Sequence, residues 1–182
     1  MKHRSYLLEV TADEFRPRPF GAPRIALDRA TAGQHARCAE LWGDVGRGFW
    51  TTRSRWSAAR WRTHLGQDAV SFWIASLRGS DIGFFELITQ RRGTKIEGLG
   101  LVPEQRGLGL GADLLMSAAR EAFKRGAQRV WLHTATDDHP HALPNYLARG
   151  FRIYRECELK QPMRTAGAIR RERAGGLDRR HR

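Results

Sequence analysis

The spacing of apolar positions changes along this chain, and the changes mark its elements. Behind Thr31, a candidate N-cap, Ala36, Ala39, Leu41 and Trp42 fall at helical spacing, and Gly43 or Gly46 offers a stop. Ser57–Leu65, closed by Gly66, predicts a second helix. The period then drops to two. Ser71–Leu77, Ile82–Thr89 and Lys95–Val102 are strand-like runs separated by Arg78-Gly79-Ser80-Asp81 and Arg91-Arg92-Gly93, which predicts an antiparallel meander. After a glycine loop at 106–111, Ala112, Leu115, Ala119, Ala122 and Phe123 share one helix face, and Gly126 ends that helix. Val130–His133 predicts a short strand. Asp137 or Asp138 caps a last helix, Pro140–Arg149, and Gly150 leads into a final strand, Phe151–Glu156.

Ahead of these elements, Arg24–Asp28 alternates and predicts a short first strand. Residues 1–23 read as an irregular arm, because Pro17, Pro19 and Pro23 suit neither a helix nor a central strand. The order predicts an α+β domain over 24–160. Its mixed, mostly antiparallel sheet is flanked by helices, with one parallel crossover from strand 95–102 to strand 129–134. Residues 161–182, arginines among glycines, read as a basic disordered tail.

Composition narrows the class without naming a function. With 182 residues, 41% hydrophobic and 28% charged, the chain suits one soluble globular domain and excludes a collagen, a coiled coil and a largely disordered chain. No apolar run approaches the length of a membrane span, and the N-terminal run breaks too early for a signal peptide. No membrane partner is expected. Two cysteines, Cys38 and Cys157, make neither a disulfide framework nor a zinc site, so a cytoplasmic location is the expectation. A homodimer stays open.

The net charge of +13 favours an anionic partner. The tail holds seven arginines against Glu172 and Asp178, +5, which leaves 13 − 5 = 8 for the body. Arginine-rich composition also follows from genome base composition, so nucleic-acid binding is kept as the alternative. His133, Asp137, Asp138, His139 and His141 match no tight ligand spacing, and no metal is expected.

The sharpest chemical signal is the run from Leu99 to Gly111, a strand that enters a glycine-rich turn and opens a helix. Unpaired backbone N–H groups and the helix dipole favour an anion there, and glycines let a phosphate come close. A P-loop is excluded, because no Gly-Lys followed by Ser or Thr occurs. Gly107, Gly109 and Ala112 fit a dinucleotide fingerprint in form only, since that motif follows the first strand of a parallel sheet.

Arg106-Gly107-Leu108-Gly109-Leu110-Gly111 resembles the pyrophosphate loop of the GNAT superfamily of N-acetyltransferases. A second block, His139 to Phe151, is similar to that family's Asn-x-x-Ala-x-x-x-Tyr-x-x-x-Gly-Phe through Ala142, Tyr146, Gly150 and Phe151. His139 departs from it, standing where Asn is common. The resemblance implies acetyl-CoA as co-substrate and a GNAT-like sheet in which strands 95–102 and 129–134 splay apart. The pantetheine arm would pair with the backbone near Leu99–Leu101, and the pyrophosphate would sit on N–H groups from Arg106 to Ala112. The cofactor-binding set is therefore Leu99, Leu101, Arg106, Gly107, Leu108, Gly109, Gly111 and Ala112.

In the implied reaction an amine attacks the thioester directly, and a backbone N–H of the splayed strand stabilises the carbonyl oxygen. Tyr146 occupies the position of the acid that protonates the departing thiolate, a role suited to its neutral phenol. Glu86 and Glu97 are candidates to receive the proton of the incoming ammonium, with His133 a third. Trp50 and Trp56 offer a wall for the acceptor, a small-molecule or peptide amine. The alternative is a non-catalytic module of the same fold that senses CoA or grips nucleic acid.

Overall fold

The computed structural model describes residues 3–16, 25–50 and 52–159. Its elements are β1 (His3–Thr11), β2 (Ala26–Arg29), α1 (His35–Gly46), α2 (Ala58–Leu65), β3 (Val70–Leu77), β4 (Ser80–Gln90), β5 (Gly93–Leu101), α3 (Leu110–Lys124), β6 (Arg129–Ala135), α4 (Ala142–Leu147) and β7 (Arg152–Leu159). One seven-stranded sheet runs β2-β3-β4-β5-β6-β1-β7. Every neighbouring pair is antiparallel except β5 and β6. The α+β class and the single parallel crossover are thus present. No described helix is long and apolar enough to cross a membrane.

The arm reading is corrected over its first half. His3–Thr11 form a strand inserted between β6 and β7 and antiparallel to both. Tyr6, Leu8 and Val10 fall at period two on one face of the strand; Leu8 and Val10 are buried and Tyr6 packs against the same core. Glu9 adds ion pairs to Arg129 of β6 and Arg152 of β7, tying three strands together. The prolines that prompted the arm reading, and the tail from 161, lie outside the described residues.

Local chemistry sets the turns. Arg78 and Gly79 both have positive φ, 51° and 83°, the pair of values that a tight hairpin between right-twisted strands requires. Ser57 caps α2 by accepting from the Arg60 N–H at 3.2 Å. The last helix is shorter than predicted, and neither aspartate caps it. Asp138 instead turns back to β6, where Oδ2 accepts from the Thr134 hydroxyl at 2.7 Å and the Ala135 N–H at 2.9 Å.

Two cores cover the two faces of the sheet. On one face α3 lays Leu114, Leu115, Ala118, Ala119 and Ala122 against Leu8, Val10, Phe85, Leu87 and Ile96. On the other, Cys38, Leu41, Trp42 and Val45 of α1 and Trp61 of α2 cover Phe72, Ile74 and Phe84.

The feature that opens the sheet lies in β5. Glu86 pairs with Gly98 and Leu87 with Ile96, so Glu97 is an extra residue on β5, a bulge. β5 pairs with β6 only from Thr94 to Ile96. Pairing stops where the bulge begins, because the bent strand carries its later residues away from β6. Gly98 and Gly100 of the bent strand make room on the α1 side. A Cβ on Gly98 falls 2.8 Å from Trp42, and one on Gly100 falls 2.5 Å from Val45.

Candidate active site

A cleft of about 300 Å³ lies where β5 leaves β6. Leu99, Gly100 and Leu101 of β5 form its floor, the 106–112 loop and the start of α3 one end, and Asn145 and Tyr146 of α4 one side. The opposite side comes from Val45 at the end of α1 and from Phe49 and Trp50, in the segment that joins α1 to α2. Seven of the eight residues assigned to cofactor binding line this cleft: Leu99, Leu101, Arg106, Gly107, Gly109, Gly111 and Ala112. The eighth, Leu108, turns its side chain to solvent and is 57% exposed.

The loop geometry follows from its glycines. Gly107 and Gly109 have φ of 79° and 77°, and Gly109 is the N-cap of α3. Left-handed residues alternating with ordinary ones turn successive N–H groups toward one side, and the first turn of α3 adds amides with no partner within the helix. A side chain at either glycine costs about 1–2 kcal/mol in backbone strain. Asn145 Nδ2 donates to the Gly111 carbonyl at 3.3 Å and fixes α4 against the start of α3.

Arg106 plays a second part that its sequence position did not reveal. Its Nε donates to the Leu101 carbonyl at 3.1 Å, and Nη2 donates to the Val45 carbonyl at 2.9 Å. It braces the end of β5 to the end of α1 while its charge stays on the cleft, over the Phe49 ring. Burial draws its pKa down from the usual value.

Tyr146 faces the cleft from α4, half-buried, with its ring packed near Phe151. Its hydroxyl makes no hydrogen bond to a described residue. Burial, followed by the charge of Asp138, raises its pKa, so the phenol stays protonated well into the alkaline range. His139 and His141 also line the cleft. His139 Nδ1 accepts from the His141 N–H at 3.2 Å, which leaves the proton of the neutral ring on Nε2. Burial, then the charges of Arg106 and His141, lower its pKa. Its ring meets Phe49 edge-on at 5.3 Å and closes part of the cleft mouth.

Neither glutamate lines the cleft. Glu97, the bulge residue, pairs with Lys95. Glu86 is fully buried on the α1–α2 face. It receives both arms of the Arg53 guanidinium, at 2.9 and 2.7 Å, and the His64 Nε2–H at 2.7 Å. Burial alone raises a carboxyl pKa; here the bonds from His64 and Arg53 outweigh it and hold Glu86 below the carboxylate norm. A carboxylate so held is a poor proton acceptor, which removes the basis for reading Glu86 as the base. His133 pairs with Leu7 across to β1 and is likewise outside the cleft lining.

Arg53 was not legible as a functional position. Its φ is 65°, one of two non-glycine residues with positive φ among those described. Its guanidinium carbon stands 4.0 Å from the centre of the Trp42 ring, 4.7 Å from Trp56 and 5.7 Å from Trp61. Trp42 also donates from Nε1 to the Thr52 carbonyl at 2.7 Å. The segment that carries Phe49 and Trp50 is thereby stitched to α1, α2 and β4.

Comparison with known proteins agrees with this geometry. The GCN5-related N-acetyltransferase from Sphaerobacter thermophilus shares the fold, with a TM-score of 0.69 at 17% identity over 86% of this chain and 50% of that one. The GCN5-related N-acetyltransferase from Kribbella flavida gives 0.62 at 20% identity over 85% of this chain and 56% of that one. This chain therefore spans about half the length of either. The aminoglycoside acetyltransferase meta-AAC0020, from an uncultured soil metagenomic sample, gives 0.59 at 16% identity over 69% of this chain and 87% of that one. At such identities the likeness is one of fold. No curated protein is similar enough to the chain to match it. The model of the acetyltransferase (GNAT) family matches residues 35–151, from the first residue of α1 to the one before β7, and this chain belongs to that family.

Proposed function

We propose that the chain transfers an acetyl group from acetyl-CoA to a primary amine by direct attack. One observation carries the reading: a single cleft joins the unpaired end of β5, the left-handed Gly107 and Gly109 turn, and the half-buried hydroxyl of Tyr146. Acetyl-CoA supplies the thioester carbonyl. The amides of 107–112 bind the pyrophosphate, with Arg106 adding charge from its braced position. Beyond Ile96 the β6-facing edge of β5 has no strand partner among the described residues, so its backbone is open to the pantetheine arm, and an N–H there polarises the carbonyl oxygen. The amine nitrogen bonds to the carbonyl carbon as the carbon–sulfur bond breaks; Tyr146 gives its proton to the leaving thiolate and is restored by the proton that the acylated nitrogen sheds.

The proton of the incoming ammonium goes to water. Glu86 is committed to Arg53 and His64, Glu97 is paired with Lys95, and His139 already holds its proton on Nε2. The pH profile of kcat/KM then follows the pKa of the amine and shows no enzyme carboxylate or imidazole.

The test is a panel of primary amines assayed for CoA release, with mass spectrometry of the products. An acetylated amine formed faster than in buffer supports the reading. Tight acetyl-CoA binding with no product from any amine favours a CoA-sensing module, and RNA or DNA binding without turnover favours a nucleic-acid module.

A further inference from the structure

Among the described residues that line the cleft, Asp138 is the one carboxylate. It stands in the turn that leaves β6, across the opening from Leu99, Gly100 and Leu101 of β5. The turn is pinned by backbone bonds: the Asp138 N–H donates to the Ala135 carbonyl at 3.1 Å, and the Thr136 N–H donates to the Arg4 carbonyl at 2.9 Å. Oδ2 of Asp138 accepts from both the Thr134 hydroxyl and the Ala135 N–H, so the carboxylate cannot rotate without breaking two bonds. Oδ1 is different. It accepts no hydrogen bond from a described residue and is not sealed from solvent.

Holding the turn occupies one oxygen and leaves the other to a ligand. Arg106 and the amides behind Gly107 and Gly109 make the loop end of the cleft positive, and Arg149 adds a second cation to the lining. Those groups suit an anionic donor, which a free carboxylate oxygen repels. An amine is drawn to the same oxygen, because it arrives as an ammonium and its nitrogen turns cationic again as it bonds to the carbonyl carbon. The placement agrees. In the proposed reaction an N–H of β5 holds the carbonyl oxygen, which leaves the β6 side to the amine. Tyr146 lines the same cleft, close enough that the charge of Asp138 adds to the effect of burial on its phenol. His139, the next residue, meets Phe49 edge-on, which brings the turn up to the wall of Phe49 and Trp50. An acceptor held at Asp138 can bury an apolar body against that wall.

We propose that Oδ1 of Asp138 is the acceptor's ammonium site: it holds the amino group beside Tyr146 and stabilises the positive charge that develops on the nitrogen during attack, while Oδ2 stays bound to the turn. This deepens the acetyltransferase reading and takes the meaning of "acceptor" from it. The proton balance is unchanged. The ammonium loses its first proton to water and the acylated nitrogen gives its second to Tyr146, so Asp138 remains a carboxylate throughout.

The experiment compares the full-length wild type with Asp138→Asn and Thr134→Val. Asparagine keeps an oxygen for Thr134 and Ala135 and removes the charge; valine removes one bond to Oδ2 and keeps the charge. Phenethylamine hydrochloride, an ammonium at neutral pH, and 2-phenylethanol, its neutral counterpart in shape, are titrated by calorimetry with and without CoA. The wild type binds the ammonium about tenfold or more tighter than the alcohol. Asp138→Asn brings the two within about threefold of each other, with Tm close to that of the wild type. Thr134→Val lowers Tm and keeps the wild-type preference within about threefold, because the Ala135 N–H still holds Oδ2. With acetyl-CoA and the best amine of the panel, Asp138→Asn loses roughly 10²-fold in kcat/KM at unchanged acetyl-CoA affinity.

A wild type that binds the ammonium no tighter than the alcohol overturns the proposal. So does a preference that survives Asp138→Asn, which leaves Asp138 with its turn alone. Should Asp138→Asn not fold, the double variant Asp138→Ala with Thr134→Val, which removes both ends of their bond, takes its place. Absence of product from every amine counts against acetyl transfer and leaves the titrations to decide the ammonium site.

Discussion

The two sides of the cleft are made of different material. The side proposed for the donor is built of backbone: the amides behind Gly107 and Gly109, the first turn of α3, and the edge of β5 that β6 leaves unpaired. The opposite side, which the proposal gives to the acceptor, is built of side chains: Phe49 and Trp50, held by an arginine clamped among three tryptophans and a buried carboxylate. Backbone amides are alike whatever the residue, so the donor side is sensitive only where a Cβ or a carboxylate intrudes. A wall of interlocked side chains depends on each member's shape and charge. One cleft thus pairs a surface tolerant of sequence with one that is intolerant of it.

The largest test strikes the intolerant side. Glu86→Ala leaves a buried guanidinium without its counter-ion, and stability should fall by about 3–5 kcal/mol, measured by urea unfolding. The same pair has a pH signature. Because the folded Glu86 pKa lies below the ordinary 4.5, its contribution is present above that value and is lost as pH falls through the lower folded value. The stability gap between wild type and Glu86→Gln should therefore hold from neutral pH to mildly acidic conditions and close at lower pH. A gap unchanged down to pH ~2 would show that the carboxylate is not what the fold depends on.

Next comes Tyr146→Phe, which removes one hydroxyl that touches no described residue. Turnover of the best amine should drop by roughly 10²-fold, and Tm should barely move. Full activity would assign the proton to water or to His139. On the donor side, Gly109→Asp puts a carboxylate at a left-handed position where phosphate oxygens are expected. Acetyl-CoA affinity by calorimetry should fall by about tenfold or more, through like charge and about 1–2 kcal/mol of backbone strain. The smallest expected effect is that of Leu108→Ser. A side chain 57% exposed, within a surface made of amides, should change stability by less than about 0.5 kcal/mol and leave the affinity unchanged. A large loss there would mean that the donor side reads side chains after all.

This contrast also explains what could be read in the sequence. The meander, the crossover and the donor loop announce themselves through spacing and glycine, because they are local. Arg78-Gly79 dictates its turn, and the run from Arg106 to Gly111 dictates its own. The acceptor side is assembled from residues far apart: Arg53 meets Glu86, His64 and Trp42 only once α1, α2 and β4 are stacked. Glu86 stands out in the sequence as a candidate proton acceptor, but no spacing links it to Arg53 and His64, which hold its charge. β1 shows a different failure. Tyr6, Leu8 and Val10 carry the period-two signal of a strand, but the prolines that follow pulled the whole stretch into one irregular reading.

The place of β1 in the sheet has a consequence for how the molecule is born. Among the described strands β1 comes first in the chain and is wedged between β6 and β7, the last two, so neither of its edges has a partner until the residues from Arg129 onward have been made. At about 5–20 residues per second that wait is on the order of ten seconds, long for a strand whose Leu8 and Val10 are destined for the interior. The meander from β3 to β5 is free to collapse with α1 and α2 meanwhile, since its pairings are short-range. β1 then acts as a keystone that closes an otherwise gapped sheet. Being one contiguous strand paired on both sides, it is also the natural cut for a split protein, with the 3–11 segment returned as a separate peptide to restore the sheet.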